Sequence, residues 1–162
     1  MQIRPAAPEE LALVGELTLA AYVADGFLTP DDEYAAELRA ADQRAAQADL
    51  VVAAAPGGAL LGTVTFALPG SPWAEVSRPG EAEFRMLAVA PEARGHGVGA
   101  ALTQWCVDRA REQGCTAVAL SSLTEMATAH RIYERMGFVR APDRDWWPSA
   151  ETQLIVYLLD LV

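Results

Sequence analysis

The stretch "FRMLAVAPEARGHGVGAALTQWC", residues 84–106, constrains the fold more than any other part of the chain. An apolar run ends at Pro91, three glycines follow at Gly95, Gly97 and Gly99, and Val98, Leu102, Trp105 and Cys106 then recur as one helical face. The order is strand, glycine turn, helix. A helix opening presents unpaired backbone N–H groups and the positive end of the dipole, and glycine lets an anion approach them without meeting a Cβ atom. Turn chemistry alone accounts for one glycine, and for two with strain. Three glycines beside Arg94, whose planar fork suits a phosphate, favour a ligand cradle over a plain connection.

The flanking segments read as a mixed α/β fold. "MQIRPA" is a short strand; Pro8 opens a helix with Leu11, Val14, Leu17 and Ala21 on one face, reaching about Ala24. A second helix starts near Asp31 and Asp32, which suit its positive end. "DLVVAAA" and "ALLGTVTFAL" flank Pro56-Gly57-Gly58 as a hairpin, and the Pro/Gly-rich "PGSPWAEVSRPG" precedes the strand "EAEFRMLAVA". After the central helix come a strand "TAVALSS", a helix over 123–136 stopped by Gly137, and a closing apolar strand "TQLIVYLL". Strands and helices that are mixed without strict alternation predict a mixed sheet with helices on both faces.

The length of 162 residues fits one domain spanning 1–162. A net charge of −10, with ten acids against three arginines in residues 1–50, argues against nucleic acid and suits a cationic partner or a merely soluble surface. No apolar run approaches the ~18 residues of a membrane span, and the N-terminus lacks a secretory pattern, so the expected location is cytoplasmic with no membrane partner. There is no lysine, which excludes Schiff-base and Walker-type chemistry. Cys106 and Cys115 lack metal or redox spacing, and no metal site is expected. Gly95, Gly97 and Ala100 also fit the dinucleotide pattern G-x-G-x-x-A. That pattern belongs after a first strand with an acid about twenty residues on, where this chain has Leu120, Ser121 and Ser122, so a nucleotide-binding oxidoreductase is disfavoured.

In context, "RMLAVAPEARGHGVGAAL" resembles the acyl-coenzyme A motif of the Gcn5-related N-acetyltransferases (GNAT), Q/R-x-x-G-x-G/A, met by Arg94, Gly97 and Gly99. "MATAHRIYERMGF" is similar to the family helix ending in Y-x-x-x-G-F. The resemblance implies a mostly antiparallel sheet of six to seven strands and acetyl-CoA (coenzyme A) as cofactor. It assigns the diphosphate to Arg94, Gly95, His96, Gly97, Val98, Gly99 and Ala100. Pantetheine would follow Leu87, Ala88 and Val89, with Met126, Ala129 and Arg131 on the last helix also near the cofactor. Met126 stands where the family often has Asn, seven residues before the tyrosine.

The implied activity is acetyl transfer to a primary amine, on a small molecule or peptide, directly in a ternary complex. Tyr133 matches the tyrosine that protonates the leaving thiolate; a satisfied core tyrosine is the plainer alternative. Glu83 is the base by resemblance to a glutamate acting through water, with Glu81 as substitute. Otherwise Glu83 is a surface charge or a partner of Arg85. His130 with Arg131 could reach the 3′-phosphate, or lie on a solvated face. Tyr22, Phe27, Glu33, Ser121, Trp146 and Trp147 are expected at the acceptor, with Asp143 and Asp145 receiving its charge. Two other functions stay open: a non-catalytic acyl-CoA sensor, and transfer of a longer acyl group. The apolar last strand and the edge strands leave room for a homodimer.

Overall fold

A computed structural model describes residues 1–162. Eight strands are hydrogen-bonded in the order β1-β2-β3-β4-β5-β8-β6, with β7 on β8. The chain divides into two compact units, residues Met1–Phe66 with Met86–Trp105, and Ala67–Arg85 with Cys106–Val162.

In the first unit, β1 (Gln2–Pro5) runs antiparallel to β2 (Asp49–Ala54), and β2 runs antiparallel to β3 (Leu60–Ala67). The expected hairpin closes through Ala55 N to Ala59 O at 2.8 Å, and its strands are among the most buried of the chain. Helix α1 (Leu11–Ala24) follows a 3₁₀ turn at Pro8–Glu10 and buries Val14, Thr18, Leu19 and Ala21. The single second helix expected from sequence is two helices, α2 (Glu33–Arg39) and α3 (Ala41–Gln47), broken at Ala40 with ψ 49°. Asp32 caps α2 by accepting from Tyr34 N, and the buried Arg44 donates to Glu37 O and Leu38 O at 2.7 and 3.0 Å. That guanidinium adds a donor to Glu37 O, which the Ala40 amide also bonds, and satisfies Leu38 O at the end of α2.

The first unit also holds the C-terminal half of β4 (Glu81–Val89) and the start of α4 (Val98–Glu112). Ala90 N bonds Leu61 O at 2.8 Å, fixing the end of β4 on β3. A Cβ on Gly62 would stand 2.8 Å from Ala88 O, 2.9 Å from Val98 Cγ1 and 3.1 Å from Leu102 Cδ1. Only a bare backbone fits there.

In the second unit, β4 pairs in parallel with β5 (Ala117–Leu123) over Glu81–Glu83, and β5 pairs antiparallel with β8 (Thr152–Asp160) along its whole length. Two short strands not seen in the sequence, β6 (Val139–Arg140) and β7 (Trp146–Ser149), also pair with β8 and raise the strand number to eight. Helix α5 (Ala127–Arg135) begins four residues later than the periodicity suggests, because Leu123 still belongs to β5. Gly137, at φ 95°, ends the segment as expected. Phe84, Tyr133, Phe138 and Tyr157 pack as an aromatic cluster, with neighbouring ring centroids 5.8 to 6.1 Å apart. No helix is long and apolar enough to cross a membrane.

Candidate active site

The glycine turn lies wholly in the first unit. A 3₁₀ turn at Pro91–Ala93 delivers the chain to Arg94, and Gly95 and Gly97 then take φ 80° and 76°, where an L side chain is strained. A Cβ at either position would meet nothing within 4 Å. These glycines therefore answer to the backbone conformation and leave open space in front of it.

The first helical bond of α4 runs from Ala101 N to Gly97 O. The six N–H groups from Gly95 to Ala100 have no hydrogen-bond partner in the chain. This donor set, at the positive end of a 15-residue helix, has the chemistry of an anion cradle. The His96 ring is held by Nδ1 against Ala93 O at 3.2 Å and braces the turn from within. Val98 and Gly99 are buried, while Arg94 to Gly97 and Ala100 are exposed.

Arg94 does not stand free. Its Nη1 donates to Asp25 Oδ1 at 2.6 Å, its Nε to Val89 O at 3.2 Å, and its Nη2 to Ala21 O at 3.5 Å. Sequence reasoning missed Asp25, which is 69 residues away, because nothing local marks it.

Leu87, Ala88 and Val89 form the last turnout of β4, with Ala88 buried and its neighbours half-buried. Met86 just before them is the only non-glycine residue at positive φ, 56°. Such a break in an extended strand is costly and is retained where the backbone must change direction. Tyr22, in the last turn of α1, and Phe27, just beyond its end, meet edge to face at 6.4 Å, and Glu33 opens α2 on the surface. The first unit thus brings Arg94 to Ala100 together with Leu87 to Val89.

In the second unit Glu83 is fully buried, so it is neither a surface charge nor a partner of Arg85. Its Oε1 accepts the N–H groups of Glu75, Val76 and Ser77, each at 2.9 Å, and its Oε2 is buried without a partner. Arg85 turns instead to Glu75, with Nε–Oε1 at 3.0 Å, and lies over the Trp73 ring. Glu81 is paired with Arg144 at 2.8 Å. Burial raises the Glu81 pKa, but hydrogen bonds from Arg144 and from the Arg78 amide outweigh it and hold the carboxyl below its usual range. Glu81 is thus already neutralised by an arginine.

Tyr133 is buried, and its hydroxyl has no hydrogen bond within the chain. Burial, with smaller contributions from Cys106 and Tyr157, raises its pKa well above that of a free phenol. The group is a proton donor at any physiological pH. Met126 and Ala129 are half-buried and Arg131 is exposed, its guanidinium on Thr128 Oγ1 at 3.3 Å.

Other expected site residues of this unit divide into engaged and open ones. His130 is not on a solvated face: Nε2 meets Ser122 Oγ at 3.0 Å and the ring stacks near Tyr157, and burial lowers its pKa. Asp145 is occupied by Arg140 at 2.7 Å and by Val156 N, so it has no charge to spare for an acceptor. Asp143 is exposed. The two tryptophans separate: Trp147 is 59% exposed, whereas Trp146 is half-buried with its indole N–H lacking a partner. Ser121 lies on β5 opposite Val156. No group of three His, Cys, Asp or Glu side chains is placed to hold a metal ion.

The family model described as "Acetyltransferase (GNAT) family" matches residues 16–138, which takes in both motifs and everything between them. The chain belongs to the GNAT acetyltransferase family. A mycothiol acetyltransferase from Beutenbergia cavernae is 39% identical over 72 residues, 44% of this chain and 24% of that protein. The matched stretches span 24% to 32% of the lengths of the curated relatives. Among solved structures, a GCN5-related N-acetyltransferase from Kribbella flavida superposes with TM-score 0.70 at 22% identity, covering 99% of this chain and 97% of that one. A GNAT-family acetyltransferase from Brucella melitensis in complex with acetyl-CoA gives TM-score 0.64 at 23% identity, covering 99% and 88%.

Proposed function

We propose that this GNAT protein moves an acetyl group from acetyl-CoA to a primary amine by direct transfer. The observation that carries the reading is the run of six unpartnered amides from Gly95 to Ala100, which fits a diphosphate. Acetyl-CoA supplies an activated thioester; the chain supplies the grip and the proton handling. Pantetheine follows Leu87 to Val89, after the break at Met86.

Transfer forms a bond from the amine nitrogen to the acetyl carbonyl carbon and breaks the carbon–sulfur bond. The proton leaving nitrogen passes through water to Glu83 Oε2, whose carboxyl is oriented by the three amides on Oε1. Tyr133, whose phenolic proton burial keeps on oxygen in the resting protein, would supply that proton to the leaving sulfur. A tyrosine buried in the aromatic cluster whose hydroxyl is left without a protein partner favours transfer over a sensor that only binds acyl-CoA.

An acidic first third of the chain and relatives named as mycothiol and N-alpha-acetyltransferases support a cationic amine as acceptor. Tyr22, Phe27, Glu33, Ser121, Trp146 and Trp147 are its proposed contacts. Calorimetry with acetyl-CoA on the wild type and on Gly97→Trp tests the grip, and absence of binding to the wild type overturns the function. Release of free thiol in the presence of a panel of amines, read with a thiol reagent, tests transfer. Binding without release for any amine leaves the sensor reading in its place.

A further inference from the structure

Arg94 is the one permanently charged side chain of the glycine turn, yet each of its three nitrogens already has an oxygen of the chain within hydrogen-bond distance. Nη1 is 2.6 Å from Asp25 Oδ1, Nε is 3.2 Å from Val89 O at the end of β4, and Nη2 is 3.5 Å from Ala21 O in the last turn of α1. Asp25 is the residue on which α1 ends. A carboxylate there faces the negative end of the helix dipole and is unfavourable by itself, whereas a guanidinium beside it suits both the carboxylate and the open carbonyls. The two residues explain each other's positions. The six free amides, meanwhile, already offer the turn's ligand its donors.

We propose that Asp25 is a positioning residue for cofactor binding: through Arg94 it clasps the glycine turn to the end of α1, and the guanidinium serves the protein's own oxygens and not the diphosphate. The proposal rests on the reading that the turn binds coenzyme A. It adds a physical link between two parts of the first unit. Just beyond Asp25 the chain bends back, with Gly26 N on Val23 O and Phe27 N on Tyr22 O, and the Tyr22 and Phe27 rings meet at 6.4 Å. The clasp therefore joins the cofactor turn to the aromatic pair assigned to the acceptor. Order at one end is transmitted to the other through one guanidinium fork and its three contacts.

The test is a double-mutant cycle on the full chain, with coenzyme A affinity read by calorimetry at low and high salt. The variants are Arg94→Gln, Asp25→Asn and the double variant, with Arg94→Lys as a fourth that keeps the charge and loses the fork. Each single change weakens binding by about 3- to 5-fold, the size expected of a partly exposed ion pair. The double variant binds no more weakly than either single one, Arg94→Lys behaves as Arg94→Gln, and the salt dependence matches the wild type. Hydrogen exchange of residues 22–28 in the unliganded protein is faster in every variant.

A loss on the order of 100-fold for Arg94→Gln alone, with a flatter salt dependence, puts the fork on the phosphate and overturns the clasp. Tighter binding by Asp25→Asn overturns it too, because Asp25 would then be competing with the ligand. Additive single effects or unchanged exchange at 22–28 have the same meaning. Failure of the wild type to bind coenzyme A instead overturns the function, while the exchange measurement still judges the clasp.

Discussion

Two clusters of backbone N–H groups in this chain are built alike and end differently. From Gly95 to Ala100 six consecutive amides are left without an acceptor in the chain. At Glu75, Val76 and Ser77 three consecutive amides converge on one oxygen of Glu83, which arrives from β4. Both have the donor chemistry to hold an anion. One is filled by the protein's own carboxylate and locks a Pro/Gly-rich loop; the other is left open by positive-φ glycines that have no side chain to fold into it. The difference teaches that glycine turns advertise only the open kind.

The comparison breaks most visibly at the filled cluster. Glu83→Ala leaves three partly buried donors without their acceptor, and removing one partner of a buried charged contact costs about 3–5 kcal/mol. Scanning calorimetry should show a melting temperature lower by roughly 10 °C, at about 2–4 °C per kcal/mol for a chain of this size. Glu83→Gln, which keeps an oxygen, loses less. A wild-type melting point for Glu83→Ala would mean that the carboxylate does not hold the loop.

At the open cluster the corresponding change affects the ligand and not the fold. Gly97→Trp should reduce acetyl-CoA affinity at least ~100-fold with the helical circular dichroism preserved, since a bulky residue at φ 76° both strains the turn and occupies the space before it. Gly97→Ala costs about 1–2 kcal/mol of left-handed strain and sharpens the same measurement. Tyr133→Phe lies outside both clusters. It should lower kcat by roughly 10- to 100-fold and leave the coenzyme A dissociation constant within about 2-fold.

The smallest expected effect is at a miniature of the filled kind, Glu10, which accepts from Ala7 N and pairs with Arg4 at 2.7 Å. Its hydrogen bond from Arg4, and then that from the Ala7 amide, lower its pKa from 4.5 to about 2. A depressed carboxylate stabilises the fold above pH 4.5, and that contribution disappears as the pH falls through 2. Thermal melts of wild type and Glu10→Gln should converge in acid and separate above pH 4.5.

The sequence made the open cluster legible, because its signal is local: glycine spacing, a preceding apolar strand and a following apolar helix face within about twenty residues. The hairpin at Pro56-Gly57-Gly58 and the stop at Gly137 were readable for the same reason. Glu83 was legible as a candidate but not as a buried one, because the amides that hold it are supplied by loop residues with no distinguishing side chains. Asp25 was invisible, since its partner lies 69 residues on. The break at Ala40 and the late start of α5 escaped because apolar spacing continues through both and only the backbone angles differ. β6 and β7, at two and four residues, are too short to show a period.

The bare position at Gly62 reaches further than its own strand. The carbonyl of Ala88 and the side chains of Val98 and Leu102 all close on the place where a methyl would be. An added carbon there would press on the first turn of α4 through Val98 and Leu102 and on the end of β4 through the Ala88 carbonyl. A residue outside the glycine turn thereby sets the backbone positions on which the proposed cofactor grip depends.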